Sequence, residues 1–229
     1  MKTVGLIGGM SWESTAAYYR LINEAVKGEL GGLHSARILL YSLDFADVEA
    51  CQSSGDWDRA AAILADAAAR LERAGADLLL ICTNTMHKVA PQVQEAVSIP
   101  LVHIADAAAD ALLEAGVRTA ALLGTKYTMT QDFYKDRLTS RGIGVLVPDA
   151  ADMDLVNRVI YEELCLGVIS EESRAGFRRV IGKLARAGAQ GVVLGCTEIG
   201  LLVRPEDSPV PVFDTTEIHA RKAALLALQ

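Results

Sequence analysis

The sequence predicts an α/β fold of two similar domains, each built on a parallel sheet, related by a pseudo-two-fold axis with a cleft between them. Three observations predict it. Short apolar runs of four to seven residues alternate with long Ala-rich helical stretches. The runs carry apolar residues at consecutive positions, as strands buried on both faces do, and alternation of strand with helix gives a parallel sheet. The pattern also occurs twice: Ala74-Gly75-Ala76-Asp77-Leu78-Leu79-Leu80-Ile81-Cys82-Thr83-Asn84-Thr85 is echoed by Ala187-Gly188-Ala189-Gln190-Gly191-Val192-Val193-Leu194-Gly195-Cys196-Thr197-Glu198.

In the first half, strands fall at Val4–Ile7, Ala36–Tyr41, Leu78–Ile81 and Leu101–Ile104, with helices near Ser14–Lys27, Trp57–Ala74 and Lys88–Ala96. The second half repeats the scheme with strands near Thr119–Leu123, Gly144–Leu146, Gly191–Leu194 and Val210–Phe213. Its helices lie near Thr130–Arg141, Asp152–Leu166 and Glu171–Ala187. The match extends beyond the cysteines. Gly5-Leu6-Ile7-Gly8-Gly9-Met10 is echoed by Ala121-Leu122-Leu123-Gly124-Thr125-Lys126, and Ile99-Pro100-Leu101 by Val210-Pro211-Val212. Gly8 and Cys82 are 74 positions apart, Gly124 and Cys196 are 72. The boundary is expected near Asp106, giving domains 1–105 and 106–211, with 212–229 returning to complete the first. Ligands bind at the carboxyl ends of strands in open α/β sheets, where Gly8, Cys82, Gly124 and Cys196 all fall.

Composition narrows the function. Of 229 residues, 51% are hydrophobic and 22% charged, enough apolar material for a packed core. A net charge of −7 argues against a nucleic-acid or anionic-membrane partner, which a basic face would serve. No apolar run reaches the length of a membrane span, and Val4–Met10 reads as a first strand, not a secretory signal. Four scattered cysteines form neither a disulfide framework nor a Cys-x-x-Cys metal site, so a reduced cytoplasmic setting is expected.

Cys82 and Cys196 carry the chemistry. One isolated free cysteine usually behaves as a small buried hydrophobe. Two at matching strand ends, each followed by polar residues, point to a pair of acid/base groups. A thiolate on one face of a carbon acid and a thiol on the other exchange its proton between faces, which is racemase or epimerase chemistry. Thr83, Asn84, Thr85 and Thr197 supply hydroxyls, an amide and backbone N–H groups for a carboxylate. Cys51 and Cys165 lack such pairing. His87 sits where it could tune the thiol or cap surface polarity, and Glu198 could orient an ammonium group or form a structural pair. His34 and His219 show no partner. The turn Gly5-x-x-Gly8-Gly9 is neither a dinucleotide fingerprint nor a P-loop, and reads better as backbone N–H groups turned toward an anion.

These motifs resemble the aspartate/glutamate racemase family. Gly5 to Thr15 resembles its opening strand and turn, Cys82-Thr83-Asn84-Thr85-Met86-His87 its first catalytic segment, and Gly195-Cys196-Thr197-Glu198-Ile199 its second. The resemblance covers essentially the whole chain. It implies a homodimer acting on a small amino acid without pyridoxal phosphate or metal, so no cofactor is expected. It also implies that Cys196 takes the proton from the L-isomer and Cys82 from the D-isomer. The backbone at Met10, with Asn84, Thr85 and Thr197, would grip the α-carboxylate and amine, and Gln52 and Thr125 would lie near the substrate. Some relatives carry threonine at the first cysteine; two thiols here imply operation in both directions. Aspartate-specific relatives also carry an arginine after the second strand and a lysine in the second domain. The corresponding stretches here, Leu43–Val48 and Glu162–Leu166, contain neither base, which leaves glutamate or a broader range of amino acids open beside aspartate. A hydantoin racemase, another cysteine-dependent isomerase or decarboxylase, and a non-catalytic amino-acid-binding protein are the alternatives.

Overall fold

A computed structural model describes the whole chain, Met1–Gln229. The first elements are β1 (Thr3–Gly8), α1 (Trp12–Leu30), β2 (Arg37–Ser42), α2 (Phe45–Ser54), α3 (Trp57–Arg73) and β3 (Leu78–Ile81). A 3-10 turn (Thr85–Val89), α4 (Ala90–Glu95) and α5 (Ile104–Glu114) follow. The chain continues with β4 (Thr119–Gly124), α6 (Lys126–Thr130), α7 (Asp132–Thr139), β5 (Gly144–Leu146) and α8 (Ala150–Glu162). It ends with α9 (Glu171–Arg186), β6 (Gly191–Gly195), α10 (Ile199–Leu202), β7 (Val212–Asp214) and α11 (Thr215–Leu228). No helix is long and apolar enough to cross a membrane.

The chain divides into two compact units, Met1–Ile104 with His219–Gln229, and Ala105–Ile218. In the first, three parallel strands run in the order β2-β1-β3; in the second, four run β5-β4-β6-β7. The return to the first unit was expected at residue 212 but comes at His219. Val212–Asp214 hydrogen-bonds to β6 and so belongs to the second sheet.

The α/β class and the buried strands follow from consecutive apolar residues: every residue of β3 and β6 is buried. Elsewhere local chemistry redrew the boundaries. The expected strand Leu101–Ile104 contributes one bridge, Leu79 to Leu101, because α5 begins at Ile104. The expected helix Thr130–Arg141 is α7, Asp132–Thr139, and the short α6 precedes it with Gln131 extended between them at φ −86°, ψ 155°. Helix α2 went unread, and its mixed Phe-Ala-Asp-Val-Glu-Ala-Cys-Gln-Ser-Ser stretch carries little periodicity.

The duplicated segments fold alike, bond for bond. At the first turn Ala74, Gly75 and Ala76 donate their N–H groups to Arg70, Glu72 and Leu71 at 3.0, 2.9 and 3.0 Å. At the second, Ala187, Gly188 and Ala189 donate to Lys183, Ala185 and Leu184, each at 3.0 Å. Each glycine takes a left-handed φ, +96° at Gly75 and +108° at Gly188, which a side chain would strain. The match resumes at the outer pairing: Leu79 N–H reaches Pro100 O and Val192 N–H reaches Pro211 O, both at 2.9 Å.

Each strand side then packs on its own helices. Leu79 and Ile81 join α3 in one core, while Leu78, Leu80 and Cys82 join Tyr18, Ile22 and Val26 of α1 and the alanines of α11 in another. In the second unit Val192, Leu194 and Cys196 pack with Phe177, Val180 and Ile181 of α9. Leu79 and Val192 are the hydrogen-bond equivalents, and both lie on the side of the preceding helix. From Ala74 to Cys82 is eight residues, but from Ala187 to Cys196 is nine. With a side-chain period of two, the extra residue places Cys196 on the α9 side and leaves Cys82 on the side away from α3.

A Cβ at Gly75 or Gly188 would meet nothing within 4 Å. Gly75→Ala and Gly188→Ala are therefore expected to destabilise by backbone strain alone, on the order of 1–2 kcal/mol each. Urea denaturation of the two variants checks this, and unequal losses would mean the turns are not equivalent.

Candidate active site

In the first unit the strand ends are held by backbone contacts. A Cβ on Gly8 would run into the Thr15 side chain, and Gly9, at φ +89°, lies against the Leu43 backbone. Gly9 N–H donates to Thr15 Oγ1 at 2.8 Å, and that hydroxyl donates to Ser11 O at 2.8 Å. Ser11 caps α1 by accepting from Ser14 N–H at 3.3 Å. Ser14 Oγ then donates to Cys82 O at 3.1 Å, and Cys82 N–H to Ile7 O at 2.9 Å. The opening turn is thus tied directly to the backbone of the cysteine.

Cys82 is fully buried, and burial pushes its thiol up. Thr83 is half-buried, Asn84 and Thr85 are buried, and the 3-10 turn carries the chain away. Gln52, on α2, is buried and donates to Met86 Sδ in that turn at 3.0 Å. The Met10 side chain packs in the core with Ile7 and Ile81.

His87 is buried, not a cap on surface polarity, and it joins two backbone segments. Its Nε2 accepts Ile104 N–H at 3.2 Å, which assigns the proton to Nδ1, donated to Thr83 O at 2.8 Å. His219, expected without a partner, has two. Tyr18 Oη donates to its Nδ1 at 2.8 Å, and its Nε2–H donates to Val102 O at 2.7 Å. The His87 ring lies 4.6 Å from His103 and 5.7 Å from His219. Three histidines therefore fill the interior between the Cys82 loop and the chain ends that lead to the second unit.

The second unit builds its strand ends from two facing glycines. Gly124 pairs with Gly195, and a Cβ on Gly124 would lie 2.8 Å from Gly195 O, one on Gly195 3.0 Å from Leu123 O. Thr125 caps α6, accepting Thr128 N–H at 3.4 Å. Cys196 follows β6 directly, and its Sγ–H donates to Glu198 Oε2 at 3.0 Å. Thr197 Oγ1 donates to the same oxygen at 2.7 Å. Burial first, then the negative charge of Glu198, pushes the Cys196 thiol up; Cys165 adds to the effect. Cys165 packs against the core cluster that contains Cys196. On the neighbouring strand, Asp214 Oδ1 caps α11 through Thr216 N–H at 2.8 Å, and burial pushes that carboxyl up.

Each unit therefore collects its own share of the expected residues at adjacent strand ends: Met10, Gln52, Cys82, Thr83, Asn84 and Thr85 in one, Thr125, Cys196 and Thr197 in the other. Sequence reading missed Ser14 as the Cys82 anchor and the Tyr18–His219 pair. Ser14 stands in a serine- and threonine-bearing turn, a visible signal; Tyr18 and His219 are 201 positions apart and left none.

A family model described as Asp/Glu/Hydantoin racemase matches residues 7–223. The chain belongs to that family. It is 58% identical to a candidate Asp/Glu racemase from Yersinia pestis, with a TM-score of 0.95 and 100% of both chains covered. An aspartate racemase homologue from Pyrococcus horikoshii OT3 is 39% identical, with a TM-score of 0.88 and the same coverage. The broad specificity amino-acid racemase RacX of Bacillus subtilis (strain 168) is 22% identical over 224 residues, 95% of each chain. Both cysteines and every expected site residue of this racemase lie within the matched span.

His219 gives the racemase an acid limit. Burial lowers its folded-state pKa to about 4 from an unfolded value of 6.5. A depressed histidine pKa stabilises the fold fully above 6.5, and the contribution is lost as pH falls toward 4, because only the unfolded chain takes up the proton. From pH 7 to 4.5 the loss is roughly 2–3 kcal/mol. Urea unfolding at the two pH values should show it in the parent protein and show less in His219→Gln. Equal losses would place the acid sensitivity elsewhere.

Proposed function

We propose that this racemase interconverts the enantiomers of an α-amino acid by two-base proton transfer, with Cys82 and Cys196 acting on the same α-carbon. The observation that carries this reading is the pair of buried thiols, each directly after a fully buried parallel strand and each followed by a polar segment. One sulfur removes the α-proton as thiolate, and the other delivers a proton to the opposite face as thiol; the two then hold each other's starting states. Between the steps the α-carbon bears negative charge, which spreads onto the substrate carboxylate. Asn84, Thr85, Thr197 and the Met10 backbone are assigned to hold that carboxylate and the amine, where hydrogen bonds gain most as charge develops. Gln52 and Thr125 line the remainder. Cys196 serves the L-isomer and Cys82 the D-isomer.

The substrate range is read as broad. Arg and Lys are the residues that grip a distal carboxylate. Leu43–Val48 and Glu162–Leu166 offer neither, and Asp44 is occupied in capping α2 through Ala46 N–H at 3.1 Å. The likeness to a broad specificity racemase supports the same choice. A homodimer working in the cytoplasm completes the reading.

The test is α-proton exchange by NMR in D2O with L- and D-amino acids and no added cofactor. Loss of the α-proton signal together with the opposite enantiomer is expected. Cys82→Ser and Cys196→Ser should each lower racemisation by about 10²–10⁴-fold with the fold intact, and near-normal rates in both would sink the mechanism. Thiol alkylation should inactivate the protein, while EDTA and carbonyl reagents should not. Exchange at C5 of a hydantoin, with every amino acid inert, would move the substrate to the hydantoin class.

A further inference from the structure

Glu198 is the one carboxylate bonded to a candidate catalytic sulfur. It is buried, and a single oxygen, Oε2, takes both the Cys196 thiol at 3.0 Å and the Thr197 hydroxyl at 2.7 Å. A carboxylate there does two things. It orients the S–H, and it opposes ionisation of the sulfur, because a thiolate would face a like charge at hydrogen-bond distance with little water between them. Cys82 has a different arrangement. Its backbone is anchored through Ser14 and Ile7, and burial alone pushes its thiol up.

We propose that Glu198 is an interlock on Cys196 that the substrate's ammonium group releases. This rests on the two-cysteine reading above. In the free protein the carboxylate is engaged by the thiol and holds Cys196 as S–H. An L-α-amino acid brings a cation into the same half-site, and an anionic carboxylate beside the sulfur is the group in that half-site suited to receive it. Once an ammonium pairs with Glu198, the negative charge facing the sulfur is compensated. The S–H bond then breaks, its electron pair stays on sulfur, and the proton leaves to water. The resulting thiolate can take the α-proton. Binding and activation become one event, and a ligand without an ammonium leaves the thiol protonated. Glu198 is thus a substrate-binding residue and a positioning residue for Cys196. The titratable groups acting on Cys196 are Glu198 and, from the turn after α8, Cys165.

Alkylation reads the interlock without any turnover. Iodoacetamide reacts with the thiolate, so the rate at the Cys196 peptide, followed by mass spectrometry in a Cys165→Ser background, reports ionisation. Glu198→Gln keeps the size of the side chain and removes its charge. At pH 8 it should raise that rate roughly tenfold, the equivalent of one pKa unit. For the amino acid found active in the exchange assay, Glu198→Gln should raise KM about tenfold, as expected for a lost charge-assisted contact. Glu198→Asp keeps the charge, and should return both quantities toward the parent values; it also serves if the glutamine variant does not fold. An alkylation rate within twofold of the parent, or an unchanged KM, would overturn the proposal. Parent protein inert toward every amino acid would instead count against the racemase reading, and the alkylation comparison would still decide whether Glu198 restrains Cys196.

Discussion

Backbone contacts too close for side chains fix the strand ends, and the candidate chemistry depends on them. Gly124 and Gly195 face each other across β4 and β6, where a Cβ on Gly124 would collide with Gly195 O and one on Gly195 would press on Leu123 O, while a Cβ on Gly8 would meet the Thr15 side chain. Such contacts leave each cysteine little freedom, because the residue just before Cys196, and the strand beside Cys82, cannot shift without collision. The hydroxyls then complete the arrangement. Thr15 bridges Gly9 to Ser11, Ser14 reaches Cys82 O, and Thr125 starts α6 beside the second strand end. A thiol has weak hydrogen bonding of its own, so backbone register is the effective way to hold it, and both units use it.

Electrostatics also separates the two thiols. Both are buried, and burial disfavours both thiolates. The two-thiol reading proposed above needs one of them ionised at the moment of reaction, so on that reading substrate binding must recover what burial removes. At Cys82 the opposing factor is desolvation, which a polar or charged substrate relieves by its presence. At Cys196 there is also a charge, and a charge can be compensated by an opposite one. On that reading the second half-site is the more selective of the two toward the kind of ligand that enters it.

What the sequence revealed follows the range over which each cause acts. Buried strands such as Leu78–Ile81 were readable because burial on both faces leaves an unbroken apolar run. The helix-to-strand turns were readable because an Ala-Gly-Ala triplet with glycine at left-handed φ ends a helix locally. The cysteine pair was readable by comparing the copies. Leu101–Ile104 misled because its apolar residues serve a single bridge before Ile104 opens α5, whose first N–H is taken by His87. The Tyr18–His219 bond could not be anticipated, since it exists only after α11 returns to pack on α1. The Glu198 contact lay two residues from Cys196, yet its direction depends on a side-chain torsion that spacing does not encode.

The two copies are not equal, and the inequality is one residue. Leu79 and Val192 occupy the same hydrogen-bonded position, and from there the cysteine comes three residues later in the first copy and four in the second. In a strand that difference reverses the side, and the cores confirm it: Cys82 packs with α1 and α11, away from α3, whereas Cys196 packs with α9. The inserted residue is Gly195, the position where a side chain would strike Leu123 O. Glycine there permits the extra step without breaking the pairing with Gly124. A duplication with strict copying would present the same side of the strand twice. The added glycine gives each unit its own setting for the thiol, one enclosed by apolar helices and one placed within reach of a carboxylate.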